Sequence, residues 1–232
     1  MSNPVTVITG SRKGIGRFLA DHYRAKCHTV VGCSRQAIPE PMDGYEHFCA
    51  DVTDEQAVKA MMSAVWEKHG RLDHIINNAG IAATEHFLLT NTQTARRIYD
   101  TNVIGSIIVC REAARLMKKR GYGRIVNLST IATSLHLAGE AVYASSKAAV
   151  ESLTRILARE LGGFGITVNA VGPTPVDTDL IRAMPQQAVQ AVIDRQSIRR
   201  PGVCGDIAHA IDFFLDPASD FVTGQVLYLG GF

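Results

Sequence analysis

The chain has 232 residues, room for one generous domain or two small ones, and with 46% hydrophobic and 20% charged residues it is not a disordered segment. A net charge of +2, from 24 Lys and Arg against 22 Asp and Glu, gives no case for nucleic acid or a membrane surface. Five cysteines without a CxxC pair, eight histidines without ligand spacing, and an opening (Met1-Ser2-Asn3-Pro4) with neither basic leader nor long apolar run predict a metal-free protein of the reducing cytoplasm.

Short β-branched runs alternate with helical segments, which predicts an α/β fold: one doubly wound parallel sheet of about seven strands with helices on both faces, formed by residues 1–232 as a single domain. Val5–Ile8 is the first strand, followed by a glycine-rich turn and a helix to about Lys26. Thr29–Cys33 is the second strand, Pro39-Glu40-Pro41 a loop and Glu46–Ala50 the third strand. A helix runs from about Asp54 to His69, capped by Asp54 or Thr53, and His74–Ile76 is the fourth strand, ending in Asn77-Asn78-Ala79-Gly80. One long helical region follows from about Gln93 to Lys119, with Asn102 oddly placed in its interior; its end carries the basic run Lys118-Lys119-Arg120. Arg124–Leu128 and Ile166–Val171 are the fifth and sixth strands. Between them a helix opens at Tyr143, with apolar residues at Val150, Leu153, Leu157 and Leu161. Residues 177–200, with Pro185 inside, read as short mobile helices forming a lid; a helix near Asp206–Leu215 and a strand at Gln225–Leu229 close the domain.

Two stretches carry chemistry. The first is Gly10-Ser11-Arg12-Lys13-Gly14-Ile15-Gly16, between the first strand and the first helix. Glycines there let the backbone approach a pyrophosphate, and the helix start offers free N–H groups and a positive dipole. A dinucleotide site that takes NAD places a carboxylate at the end of the second strand to hold the ribose hydroxyls. Here that place holds Ser34-Arg35, with Arg12 and Lys13 in the glycine loop. A hydroxyl and cations attract a 2′-phosphate that a carboxylate would repel, so NADP(H) is the expected cofactor. The competing account of the three cations is solubility.

The second stretch is Tyr143-Ala-Ser-Ser-Lys147. Residues four apart stack on one helix face. A phenol titrates near pH 10 in water, and a cation about 4 Å away favours phenolate by up to roughly 4 kcal/mol, about three pKa units. The pair is therefore expected to act as a general acid-base group tuned toward neutral pH. The alternative is a surface Tyr and Lys one turn apart by chance.

Taken together, Thr9-Gly-x3-Gly-Ile-Gly16, Asp51-Val52, Asn77-Asn-Ala-Gly80, Thr101-Asn102-Val103, Tyr143-x3-Lys147, Asn169-Ala-Val171 and Thr223-Gly-Gln225 resemble the short-chain dehydrogenase/reductase family over nearly the whole chain. Within it the chain is most similar to the 3-oxoacyl-(acyl-carrier-protein) reductases. The resemblance implies a Rossmann-type sheet and specific roles. Asp51 would accept from the adenine amino group and the Val52 backbone would read the ring edge. Asn78, Ala79 and Gly80 would line the ribose side and stiffen the sheet, and Val176 and Thr178 would hold the nicotinamide carboxamide and a nearby phosphate. Lys147 would bond the nicotinamide ribose while biasing Tyr143, and Asn102 would distort its helix and hold a water relaying protons to Lys147. The family's active-site serine lies thirteen residues before the tyrosine, where this chain has Thr130 preceded by Ser129. Neighbours in a strand point opposite ways, and Thr130 is chosen. Where the family has Pro-Gly, the chain reads Gly172-Pro173-Thr174-Pro175, which restricts the backbone beside the nicotinamide.

The implied activity is reduction of a carbonyl to a secondary alcohol by NADPH, with Asn102, Thr130, Tyr143 and Lys147 as the catalytic set. A 3-oxoacyl thioester is the first expectation for the substrate, with Lys118-Lys119-Arg120 meeting an acidic carrier. Phe164, at the family's second basic docking position, keeps a free sugar, polyol or xenobiotic ketone as the alternative. A non-catalytic NADP-binding regulator is a third reading, motivated by Thr130 and Thr174. The resemblance also implies a homodimer or homotetramer, paired through the helices near 93–119 and 142–162.

Overall fold

A computed structural model describes residues 3–39, 42–182, 184 and 186–231. Glu40, Pro41 and Pro185, assigned above to a loop and to the lid, lie outside the described residues.

Seven strands form one parallel sheet in the order β3-β2-β1-β4-β5-β6-β7. They are β1 (Val5–Thr9), β2 (Thr29–Ser34), β3 (Tyr45–Cys49), β4 (His74–Asn77), β5 (Gly123–Leu128), β6 (Ile166–Gly172) and β7 (Val226–Tyr228). The helices are α1 (Gly14–Ala25), α2 (Glu55–His69), α3 (Thr92–Tyr99), α4 (Gly105–Lys118), α5 (Ala132–Leu135), α6 (Ala141–Leu161), α7 (Asp179–Arg182), α8 (Gln186–Asp194) and α9 (Cys204–Leu215).

The alternation of side chains along each strand divides the core in two. Val7, Ile75 and Ile125 face α2 and α4, with Met61, Val65, Val109 and Met117. Their neighbours Ile8, Ile76 and Val126 face α1 and α9, with Leu19, Tyr23, Ile211 and Phe214. Strand order reverses between β1 and β4, so the loops leaving those strands diverge and open a crevice at their carboxyl ends.

Element boundaries follow local chemistry. Asp54 caps α2, its carboxylate accepting from the N–H groups of Gln56 and Ala57. Gly70 ends the same helix with a left-handed φ of 64°.

Three expectations change. The helical region 93–119 is not continuous: a π-helical turn at Asp100–Ile104 separates α3 from α4, and Asn102 sits in it. The buried face of α6 is Ser146, Lys147, Val150, Glu151, Thr154 and Ala158, and Leu153, Leu157 and Leu161 lie half-buried along its edge. The row follows buried polar partners as much as apolar ones. Finally, α5 interrupts the loop after β5; four residues are too few to show a helical period.

Candidate active site

A cleft of about 980 Å³ lies over the carboxyl ends of the central strands, near the upper end of the roughly 300–1,000 Å³ typical of small-molecule and cofactor sites. The glycine loop forms its floor. Gly10 has φ +68°, and a Cβ there would lie 2.9 Å from Ala79 Cα, so the loop packs directly on Asn78-Ala79. Asn78 Nδ2 donates to the carbonyls of Thr9 (2.9 Å) and Gly10 (3.2 Å), and Thr9 Oγ1 accepts from the N–H groups of Asn78 and Ala79. The start of α1 has no side-chain cap and no acidic residue in its first turn. Its free N–H groups and dipole therefore suit an anionic diphosphate, which fits the expected cofactor.

Arg12, Lys13, Gly14, Ile15, Ser34, Arg35, Asp51, Val52, Asn78, Ala79, Gly80, Val176 and Thr178 all line this cleft. Several are not free. Asp51 Oδ1 accepts from the Thr53 N–H and hydroxyl, so this carboxylate also holds its own turn. Lys13 pairs with Asp179 of α7 at 2.5 Å, joining the phosphate loop to the lid through two exposed side chains. Ser11 and Gly16 do not line the cleft. Ser11 turns into the core, with its hydroxyl 2.7 Å from Tyr45 Oη and 3.4 Å from the Cys33 carbonyl oxygen. Gly16 is a packing glycine: a Cβ there would collide with the Gly10 carbonyl.

Tyr143, Lys147 and Thr130 meet at the other end of the cleft. The electrostatics differ from expectation. Burial pushes the Tyr143 phenol up to about 12, the nearby Glu140 carboxylate adds to the rise, and only a hydrogen bond from the Thr130 hydroxyl opposes it. Burial also brings Lys147 down to about 8. The expected acidification of the phenol by Lys147 is absent because the ammonium points elsewhere, donating to the Leu128 carbonyl at 2.7 Å. Desolvation of both groups dominates.

Thr130 faces the cleft and Ser129 faces inward. Thr130 Oγ1 accepts from the Ala132 N–H at 3.3 Å. Ser129 donates to Glu151 Oε1 at 2.5 Å. Thr133 and Tyr228 also reach Glu151, each at 2.8 Å, so three hydroxyls converge on one buried carboxylate. Thr133 Oγ1 lies 2.8 Å from the Thr130 carbonyl oxygen as well, which ties this cluster to the backbone of the catalytic candidate. Glu151 and Glu140 did not emerge from the sequence. Glu151 continues the four-residue row of Tyr143 and Lys147, and that spacing is the signal that could have found it.

Asn102 does not line the cleft. Its amide clamps the turn after β4, with Oδ1 accepting from the Ile81 N–H and Nδ2 donating to the Ile81 carbonyl and to Ser146 Oγ. The distortion expected around it is present. Thr174 is buried and bonds Gln196, whose Nε2 donates to the carbonyls of Ile198 and Arg200, and Gly202 N–H donates to the Pro175 carbonyl. The restricted Pro173–Pro175 segment is thus anchored to the end of the lid at Gln196 and to Gly202 just after it. Ile181, Met184, Val189 and Val192 of the lid line the cleft with apolar surface.

A family model described as enoyl-(acyl carrier protein) reductase matches residues 10–231. The chain belongs to the short-chain dehydrogenase/reductase family. Family members are oxidoreductases of CH–OH groups that use a nicotinamide dinucleotide. The 3-oxoacyl-[acyl-carrier-protein] reductase MabA of Mycobacterium tuberculosis is 29% identical over 97% of this chain and 90% of its own length. A 3alpha-hydroxysteroid dehydrogenase of Mediterraneibacter gnavus is 30% identical over 100% of this chain and 97% of its own. Among solved structures, ElxO with NADP bound superposes with a TM-score of 0.90 at 28% identity, covering 98% of this chain and 97% of the other.

Proposed function

We propose that this short-chain dehydrogenase/reductase uses NADPH to reduce a carbonyl to a secondary alcohol, with Tyr143 as proton donor. The observation that carries the reading is the meeting of Thr130, Tyr143 and Lys147 at one end of the cleft, with Lys147 one helical turn on from Tyr143. Bound NADPH supplies the hydride for the carbonyl carbon. The glycine loop and the start of α1 hold its diphosphate, Asp51 and Val52 its adenine, and Asn78–Gly80 the ribose side. Arg12, Lys13, Ser34 and Arg35 meet the 2′-phosphate, while Val176 and Thr178 meet the carboxamide.

The raised phenol changes the expected chemistry in one respect. A phenol near 12 stays protonated throughout the neutral range, so it is a standing donor to the alkoxide that forms on reduction, a far stronger base than phenolate. Thr130 then turns its one proton from the substrate oxygen to the phenolate left behind. Lys147, near 8, carries a proton at neutral pH and can return it, with Asn102 fixing the surrounding backbone. The family membership and the meeting of Thr130, Tyr143 and Lys147 in the cleft tell against the non-catalytic reading.

For the substrate, the name of MabA supports a carrier-bound 3-oxoacyl thioester, and that of the hydroxysteroid dehydrogenase supports a free ketone. Lys118-Lys119-Arg120 immediately precedes the start of β5, the opposite end of the sheet from the cleft. There Lys118 and Lys119 stack over the rings of Phe164 and Trp66. A carrier held by these cations would sit far from Tyr143, and this favours a free ketone lying against the apolar lid. Exposed Tyr99, Ile104, Ile107 and Ile156 suit pairing with a second copy along α4 and α6. The five cysteines are free, and no helix among the described residues is long and apolar enough to cross a membrane; we assign the protein to a reducing cytoplasm. NADPH consumption over a panel of free ketones and 3-oxoacyl thioesters tests the reading: turnover of neither class overturns it, and turnover of thioesters alone overturns the free-ketone preference.

A further inference from the structure

At the edge of the sheet, four side chains form a hydrogen-bonded chain from the glycine loop to the end of β2. Ser11 Oγ lies 2.7 Å from Tyr45 Oη, Tyr45 Oη 2.7 Å from His47 Nδ1, and His47 Nε2 2.9 Å from Ser34 Oγ. Tyr45 and His47 are two residues apart on β3 and share one of its faces. They reach across β2 at Gly32, where a Cβ would collide with both Tyr45 Oη and Ser11 Oγ. The missing side chain of Gly32 is what lets the chain of hydroxyls and imidazole close.

The direction of the bonds follows from counting protons. Ser34 Oγ–H donates to the Gln36 carbonyl at 2.6 Å. His47 Nε2 must therefore be the donor toward Ser34 Oγ, and it also lies 3.1 Å from the Gln36 carbonyl oxygen. Nδ1 is then the acceptor for Tyr45 O–H, and Ser11 donates to Tyr45. Burial and the Arg12 cation both hold the His47 pKa below its ordinary value, which keeps the ring in this neutral form. One imidazole thus supports both the hydroxyl and the carbonyl of the Ser34–Gln36 turn. All three residues of that turn line the cleft.

A turn of this kind poses a problem for an incoming phosphate. If Ser34 rotates its proton toward the anion, the Gln36 carbonyl loses its donor and faces the same negative charge. His47 Nε2–H already reaches that carbonyl and takes over. We propose that His47 is a positioning residue for cofactor choice, freeing the Ser34 hydroxyl for a 2′-phosphate while keeping the Gln36 carbonyl satisfied. The proposal rests on the 2′-phosphate subsite of Arg12, Ser34 and Arg35 assigned above.

The test is to titrate NADPH and NADH separately into the parent protein, His47→Gln and His47→Asn, following nucleotide fluorescence. A glutamine amide nitrogen takes the place of Nε2 and keeps the bonds to Ser34 and Gln36. An asparagine amide reaches only as far as Nδ1, keeping Tyr45 and losing Ser34. His47→Gln should hold the ratio of NADH to NADPH dissociation constants within about threefold, and His47→Asn should cut it about tenfold or more through NADPH alone. In a Ser34→Ala background, where only the Gln36 carbonyl is left for His47 to support, His47→Asn should alter the ratio clearly less than it does with Ser34 present. A parental ratio in both histidine variants overturns the proposal, as does equal weakening of NADPH and NADH, which would make His47 a fold support. An undiminished effect without Ser34 overturns the route through that hydroxyl. Equal binding of both nucleotides by the parent protein removes the subsite, and the proposal with it.

Discussion

The two halves of the cleft are built from opposite materials. Over β1, β2 and β3 the polar groups are backbone N–H groups and cations at or near the surface, with Lys13 and Arg35 exposed and Arg12 partly covered. Over β5, β6 and α6 they are largely withdrawn from water: Lys147, Glu151, Glu140 and Ser129 are buried, and Tyr143 and Thr130 are half-buried at the cleft. The first half must attract a hydrated anion and release it, so long-range charge with little desolvation suffices. The second must pass a proton along a phenol and an amine whose affinities are nearly equal in water, at 10.0 and 10.5, and withdrawing them from water is what separates those affinities. The shift acts on both partners, the phenol up to about 12 and the amine down to about 8.

Perturbing each half should therefore give different kinds of loss. The largest effect short of the tyrosine itself is expected at Lys147. Lys147→Met should lower kcat by about 10²–10⁴-fold, read by steady-state NADPH oxidation. In the unmutated protein the same group sets a pH limb. A lysine whose folded pKa is depressed to about 8 is charged below that value and neutral above it, so the reduction rate should fall as pH rises through about 8. A rate that is flat from pH 7 to 10 would remove Lys147 from the proton path.

Thr130→Val keeps shape and loses the hydroxyl. It should cost about 10²-fold in kcat, because one donor to the developing charge disappears, with NADPH binding measured by fluorescence staying within about threefold. Glu151→Leu should be smaller in rate and visible in stability. Removing the acceptor strands the buried Ser129 hydroxyl, worth about 1–3 kcal/mol when left unpaired, while Thr133 and Tyr228 keep each other and the Thr130 carbonyl. Urea unfolding should show a clear loss, with kcat down about tenfold as Thr130 loosens. Glu151→Gln, which keeps one carbonyl acceptor, should recover part of both. The smallest effect belongs to the exposed half: breaking the Lys13–Asp179 pair with Asp179→Ala should leave thermal stability unchanged, since exposed pairs are screened by water and salt.

The same contrast explains what could be read in advance. The seven strands, the glycine turn and the four-residue step from Tyr143 to Lys147 were legible because each is a local pattern with a fixed period or spacing. The break at Asp100–Ile104 was legible only through the resemblance, which led to a distortion at Asn102; it is paired with an amide that crosses to Ile81, and helical periodicity carries no trace of that partner. Ser11 sits inside the phosphate motif yet turns inward, a choice made by Gly32 and Tyr45, which lie far from it in sequence. The spacing of Tyr143 and Lys147 showed which groups are neighbours and gave the wrong sign for the phenol. Proximity is written in the sequence, whereas dryness is a property of the packed fold, and here dryness wins.

The central claim is that the Tyr143 phenol, held protonated by burial and beside Thr130 in the cleft, gives its proton to a carbonyl being reduced. The most direct measurement pairs the turnover of Tyr143→Phe, on whichever carbonyl the parent protein reduces, with its NADPH affinity. The account predicts a fall in kcat of at least about 10³-fold with the NADPH dissociation constant within about threefold of the parent. A phenylalanine variant that turns over at the parental rate would contradict it.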